Sequence, residues 1–277
     1  MPEENGIEPL CPFDLSEYRN KPVNSVASGR VDVRSLMEHV DTLYEKNDID
    51  GARSFLEEYY EKALEFNDKE GQLGIISELL GCYRKTRSAE NGLWAAEEAE
   101  RLITELGLEG TVTAGTVWLN AATTMREFGK AAEAVRLYDM AARAFSGNLD
   151  PGDYRFAGLF NNYAACLEAC GDPESAEEYY KRALSVVSRL KGCEVEEAVT
   201  YVNLACLYDE TDPEDERIYE CIRKAIDLFN IDHVTKDGYY AFNVLKCVDA
   251  IDHFGFFRDA KELRKRAEEI YGILQNS

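Results

Sequence analysis

The stretch FNNYAACLEACGDPESAEEYYKRALSVVSRL, residues 160–190, decides how the chain is read. Apolar residues recur three and four apart in both of its halves, which is the period of an α-helix. The first half carries Phe160, Tyr163, Ala164 and Leu167, and the second carries Ala176, Tyr180, Ala183 and Val187. Gly171, Asp172 and Pro173 break the pattern between them. Small residues stand where two helices must approach closely, and aromatic residues fill the space around them. The stretch predicts a helical hairpin.

Copies of this unit run through nearly the whole sequence. The small residue at Ala164 has counterparts at Val40, Gly81, Ala122, Ala205 and Val248, and the successive intervals are 41, 41, 42, 41 and 43 residues. A fixed period of this size is the mark of a stacked repeat array. Twelve residues after the anchor comes a second small residue in four copies: Ala52, Ala134, Ala176 and Ala260. Seven further on stand Tyr59, Ala141, Ala183 and Ala267, with Leu56, Tyr138, Tyr180 and Arg264 in between. The fifth copy fits with one extra residue in its Asp-Pro turn, which gives Ile218, Cys221 and Ala225. In the second copy Ala95, Ala96 and Ala99 lie close together, and the pattern leaves the register of that helix open.

Trp118, Ala122, Met125, Ala134, Tyr138 and Ala141 resemble the tetratricopeptide repeat signature, and Phe160, Ala164, Leu167, Ala176, Tyr180 and Ala183 match it again. The standard unit of that family is about 34 residues, so each unit here is roughly seven longer, or about two helical turns. The start at Asn161, Asn162 and Ala164 and the run Tyr179 to Leu184 are similar to the long repeats of the kinesin light chain type. The likeness spans residues 33–274; copies three and four carry it most fully and copy two least. A HEAT or armadillo array has a comparable period, but the twelve-then-seven spacing of small residues argues against it. The resemblance implies an all-α, right-handed α-solenoid of six stacked antiparallel helix pairs. The expected units are 33–67, 69–106, 111–145, 153–190, 194–229 and 237–274, forming one solenoid over residues 32–277.

Residues 1–31 show no helix period and are punctuated by proline and glycine. They hold a small apolar cluster, Leu10, Phe13, Leu15 and Tyr18. Two readings stand open: a loose terminus, or a segment that docks on the array by burying its aromatic residues.

Thirty-one basic residues against 53 acidic ones give a net charge of −22. Nucleic acid and anionic membranes call for a basic patch, so neither is an expected partner. No apolar run approaches the roughly 18 residues of a membrane span, and the first residues lack the basic-then-apolar pattern of a signal peptide. Eight cysteines occur without any C-x-x-C pair, and Cys82, Cys166, Cys206, Cys221 and Cys247 fall on apolar or small helix faces. That pattern points to reduced core cysteines and a cytoplasmic protein.

No catalytic constellation emerges. The three histidines, His39, His233 and His253, contain no pair four apart, and no phosphate-binding glycine loop is present. Cys166 and Cys170 share a helical face, which is read as packing and not as a metal site. No cofactor or metal is expected.

In the family that the chain resembles, the first helix of each pair lines a concave groove, and asparagine two residues before the anchor holds the main chain of a bound peptide. That position holds Glu38, Leu79, Asn120, Asn162, Asn203 and Lys246 here. An amide offers both a donor and an acceptor, as an extended backbone requires. Asn161, Leu119 and Val202, one residue earlier in their copies, would add side-chain pockets, with Lys85 and Arg126 supplying positive charge four residues after the anchor. Glu168, Asp209 and Asp252 make the later copies acidic at that position. The expectation is a non-enzymatic, cytoplasmic adaptor, monomeric or weakly homodimeric, that binds a protein or an extended peptide. A sensor of short signalling peptides and an enzyme with an inter-repeat pocket are the alternatives.

Overall fold

The computed structural model describes residues 29–46 and 48–275. These form twelve α-helices with no strand among the described residues: α1 Val33–Glu45, α2 Ile49–Glu65, α3 Lys69–Lys85, α4 Ala89–Leu106, α5 Val112–Glu127, α6 Ala131–Asn148, α7 Arg155–Ala169, α8 Pro173–Val187, α9 Glu194–Thr211, α10 Glu216–Phe229, α11 Gly238–His253 and α12 Phe257–Gln275. The apolar cluster at Leu10, Phe13, Leu15 and Tyr18 lies outside the described residues. No helix among those described is long and apolar enough to cross a membrane. The chain divides after Asp150 into two compact units, which are taken in turn.

In the first unit, α1 to α6 form three helix pairs. Their starts are written in the sequence as caps: Asp32 accepts from the Ser35 N–H, Asp48 from Gly51, Asp68 from Gly71 and Thr111 from Ala114. Each satisfies a donor that the first helical turn leaves open. Asp68 is buried and also accepts the Val31 N–H at 2.9 Å, which ties the approach to α1 to the start of α3. Close packing of α5 on α6 depends on Gly115, where an added Cβ would stand 2.6 Å from Cε1 of the buried Phe145 ring.

The structure resolves the register of the second pair. Its turn has the same three residues as the first, third and fourth, but the buried Leu80 and not the half-buried Gly81 occupies the anchor position, so the buried Gly92 stands twelve residues on as the small residue, Ala96 follows four later and Ala99 seven later. A side chain at Gly92 would meet Phe128 Cε2 at 2.4 Å. The first pair departs from the spacing rule at Tyr59, which is only half-buried, whereas Tyr60 and Ala63 go into the core. A phenol ring is too large for the close contact that alanine makes, and Tyr59 packs instead on Phe55 with the Lys62 ammonium 4.0 Å from its ring centroid.

In the second unit, α7 to α12 form three further pairs around a continuous apolar core that runs from Ala164 to Ala267. Ala164, Ala205 and Val248 are fully buried, as are Ala183, Ala225 and Ala267. The turn into α8 combines Gly171 at φ +77°, a conformation that favours glycine, with the Asp172 cap and Pro173 in the first turn. Arg264 stays half-buried and reaches Asp249 at 2.6 Å, while Leu263 beside it enters the core. Arg266 closes the end of α10 by donating to Asn230 Oδ1 at 3.0 Å and to the Tyr240 hydroxyl at 2.9 Å.

Candidate functional site

Within the second unit the first helices of successive pairs meet through polar side chains. Asn161, which is buried, donates to Thr200 Oγ1 at 2.8 Å, and Thr200 in turn donates to the Glu196 carbonyl at 2.7 Å. Asn203 is half-buried and donates to Asn161 Oδ1 at 3.4 Å. The series continues from α9 to α11, where the Tyr239 hydroxyl donates to Glu196 at 3.0 Å and the His253 ring lies 3.4 Å from Asp209. Burial holds the Glu196 carboxyl above its usual range, the Tyr239 hydrogen bond opposing that shift. Asn162 is 4% exposed and donates to the Gly158 carbonyl of its own helix at 3.1 Å, and Val202 is buried. Asn203 thus offers more surface than Asn161 or Asn162. Around it on the same three helices stand the half-buried Glu168 and Asp209 and the exposed Asp252.

In the first unit Asn120 is half-buried, with a long contact of 3.5 Å from its amide to Ser77 Oγ. Its carbonyl accepts from Arg84 at 3.1 Å, and the same guanidinium reaches Thr124 Oγ1 at 2.7 Å. Leu119 is buried. The Arg126 side chain is 8% exposed, with Glu127 3.8 Å away. Lys85 is exposed and lies over the Tyr44 ring at 4.5 Å. Glu78 shares this neighbourhood; burial and then Asp41 push its carboxyl up to about 7, against the opposing charges of Lys85 and Arg84.

One feature of the first unit has no counterpart in the repeat pattern. A cavity of about 390 Å³ opens among α2, α3 and α4, lined by Glu57, Glu58, Tyr60, Glu61, Leu79, Tyr83, Asn91 and Trp94. Tyr60 and Trp94 meet edge to face at 5.6 Å, and the Tyr83 hydroxyl donates to Glu57 at 3.1 Å. Trp94 is 44% exposed. An exposed tryptophan beside three glutamates is visible in the sequence only once α2 and α4 are known to be neighbours.

The cysteines described are free thiols, and burial pushes Cys206 up to about 12 and both Cys193 and Cys221 up to about 11. Such thiols hold little nucleophilic thiolate. Cys166 is buried and Cys170 exposed, and no group of three metal-ligating side chains is drawn together among the described residues.

A family model described as tetratricopeptide repeat matches residues 155–220. No curated protein matches the chain. Among solved structures, BtubC (BKLC) from P. vanneervenii is similar at 19% identity and a TM-score of 0.58, covering 83% of this chain and 93% of its own. A putative kinesin light chain from Podosopora anserina with nearly identical TPR-like repeats is similar at 14% identity and a TM-score of 0.53, covering 73% of this chain and 96% of its own. Six helix pairs with small residues at their contacts, matched in this way, place the chain in the all-α helical-repeat fold of the tetratricopeptide type, with kinesin-light-chain-like repeat proteins among its structural neighbours.

Proposed function

We propose that the chain is a non-enzymatic adaptor that binds a protein segment along the first helices of its repeats, and that it works in the cytoplasm. The observation that carries this reading is the side-chain arrangement on α7, α9 and α11. Amid an otherwise apolar packing, these helices keep Asn203, Glu168, Asp209 and Asp252 at least partly accessible. The amide can pair with a peptide backbone in either sense, and the carboxylates favour a segment with basic residues. Exposed charge pairs contribute only about 0–1 kcal/mol each, so they orient a partner more than they hold it. In the first unit Asn120 and Lys85 offer the corresponding contacts, an amide and a cation. Asn161 and Asn162, being buried and bonded internally, hold the surface in shape, as do Leu119 and Val202, and Arg126 contributes mainly from within. Cysteines left as free thiols fit a reducing compartment.

Peptides selected from a displayed random library against the full chain test this. The expected binders are enriched in basic residues. Asn203→Ala should weaken them several-fold, the worth of one net hydrogen bond of about 0.5–1.5 kcal/mol, with the melting temperature unchanged. Binding that ignores both Asn203→Ala and Asp209→Asn would overturn the assignment of this face.

A further inference from the structure

The second unit contains a site whose counterpart in the first unit has a cavity where the second has a cation. Tyr208, near the end of α9, donates its hydroxyl to Glu177 on the preceding helix α8 at 2.7 Å. Arg217, second residue of the following helix α10, completes the arrangement. Its guanidinium carbon lies 3.9 Å from the Tyr208 ring centroid, and Nη1 reaches the same Glu177 oxygen at 2.8 Å. The same guanidinium reaches Asp215 at 2.6 Å, and Lys181 shares the Glu177 oxygen at 2.7 Å, so the aromatic face and the carboxylates all have a cation.

The first unit has a similar tyrosine–glutamate contact, with the glutamate one helical turn further along its helix than Glu177 and Arg53 at the position equivalent to Glu177. Tyr83, near the end of α3, donates to Glu57 on the preceding helix α2 at 3.1 Å. The third member is different: the early part of α4 presents Asn91 and Trp94, and the space they border is the cavity of about 390 Å³. Trp94 supplies a further aromatic face, and tryptophan is the best partner for a cation. Tyr60 and Leu79 form apolar wall, and Glu58 and Glu61 add charge. Of the cations of α2, Arg53 pairs with Asp50 at 3.0 Å, and Lys62 holds Glu58 of the lining at 2.6 Å, which leaves Glu57 and Glu61 as the carboxylates open to a guest cation. Glu57 and Glu61 enter no ion pair among the described residues.

We infer that this cavity is a binding site for an arginine side chain of a partner protein, seated between Trp94 and Tyr83 with its guanidinium on Glu57 and Glu61. The site is separate from the first-helix face proposed above, and the failure of either leaves the other standing.

The test uses the full chain labelled with ¹⁵N and the tripeptide acetyl-Gly-Arg-Gly-amide, followed at the Trp94 indole N–H. Saturable shifts at Trp94 are expected with this probe and not with its citrulline counterpart, which keeps the shape and loses the charge. Glu57→Gln with Glu61→Gln should weaken binding about five- to tenfold, the loss expected when charge-assisted bonds become neutral ones. Asn91→Arg, at an exposed position, imports an internal guanidinium as Arg217 does, and should abolish the response with helicity retained. Equal shifts with the citrulline peptide, an undiminished response in the double glutamine variant, or a larger response to acetyl-Gly-Lys-Gly-amide would overturn the arginine assignment.

Discussion

Asn203 donates its side-chain amide to Asn161 Oδ1 at 3.4 Å, 42 residues away, one repeat length along the chain. Asn161 passes the connection to Thr200 at 2.8 Å, so two adjacent first helices are joined by a short polar relay inside an apolar array. The two asparagines carry unequal weight. Asn161→Ala leaves a buried hydroxyl short of a donor and should cost about 1–3 kcal/mol. Asn203→Ala removes a longer, half-exposed bond and should stay within about 0.5 kcal/mol. Urea unfolding of the two variants checks this, and equal losses would show that the relay is not hierarchical.

Gly115 and Gly147 make a matched pair for helix packing. An added methyl at Gly115 meets the buried Phe145 ring at 2.6 and 2.7 Å and Ala144 at 3.2 Å, whereas at Gly147 nothing lies within 4 Å. Alanine favours the helix at both sites by up to about 1 kcal/mol. Gly147→Ala should therefore raise the melting temperature, and Gly115→Ala should lower it, with overpacking costing about 1–3 kcal/mol. A gain at both positions would mean that α5 and α6 do not pack as closely as described.

Ala164 is fully buried in the core of the second unit. Ala164→Leu should overpack that core at a cost of about 1–3 kcal/mol. Thermal unfolding followed by far-ultraviolet circular dichroism would record it, and an unchanged midpoint would place Ala164 outside the core.

Glu78 gives the first unit a pH dependence of definite sign. Its carboxyl titrates near 7 in the folded chain against 4.5 ordinarily, because burial and Asp41 disfavour the charge more than Lys85 and Arg84 favour it. The folded state then holds the proton more tightly than the unfolded state. Glu78's contribution is fully present below 4.5 and is lost as the pH rises through 7. Glu78→Gln should therefore stabilise the protein by about 1–2 kcal/mol at pH near 8 and have little effect at pH near 5. Chemical denaturation of both proteins at the two pH values decides it, and a larger gain at the acidic value would reverse the assignment.

Much of the fold was legible in the residues because its cause is local. Apolar residues three and four apart define each helix, Asp48, Asp68 and Asp172 cap their helices, and Gly129, Gly171 and Gly255 stand in the turns at positive φ. The small residues of Ala122, Ala164 and Ala205 locate the contacts because only a small side chain lets two helices approach. The register of the second pair was not legible, since Gly92, Ala95, Ala96 and Ala99 are all small enough to pack and only Phe128 and Thr124, on another helix, select Gly92.

Periodicity and spacing by themselves determined the number of helices, their pairing and, outside the second pair and positions such as Tyr59 and Arg264, the residues between them. Only the tertiary structure decided which polar side chains keep free surface. Asn161 and Asn162 are neighbours in sequence and point about 100° apart on the helix, yet both are buried, while Asn203 and Asn120 stay partly exposed. Helical period describes one cylinder, but exposure depends on the cylinders packed against it, whose side chains come from residues about one repeat away. The cavity beside Trp94 arises the same way, from residues of three helices that no local pattern relates.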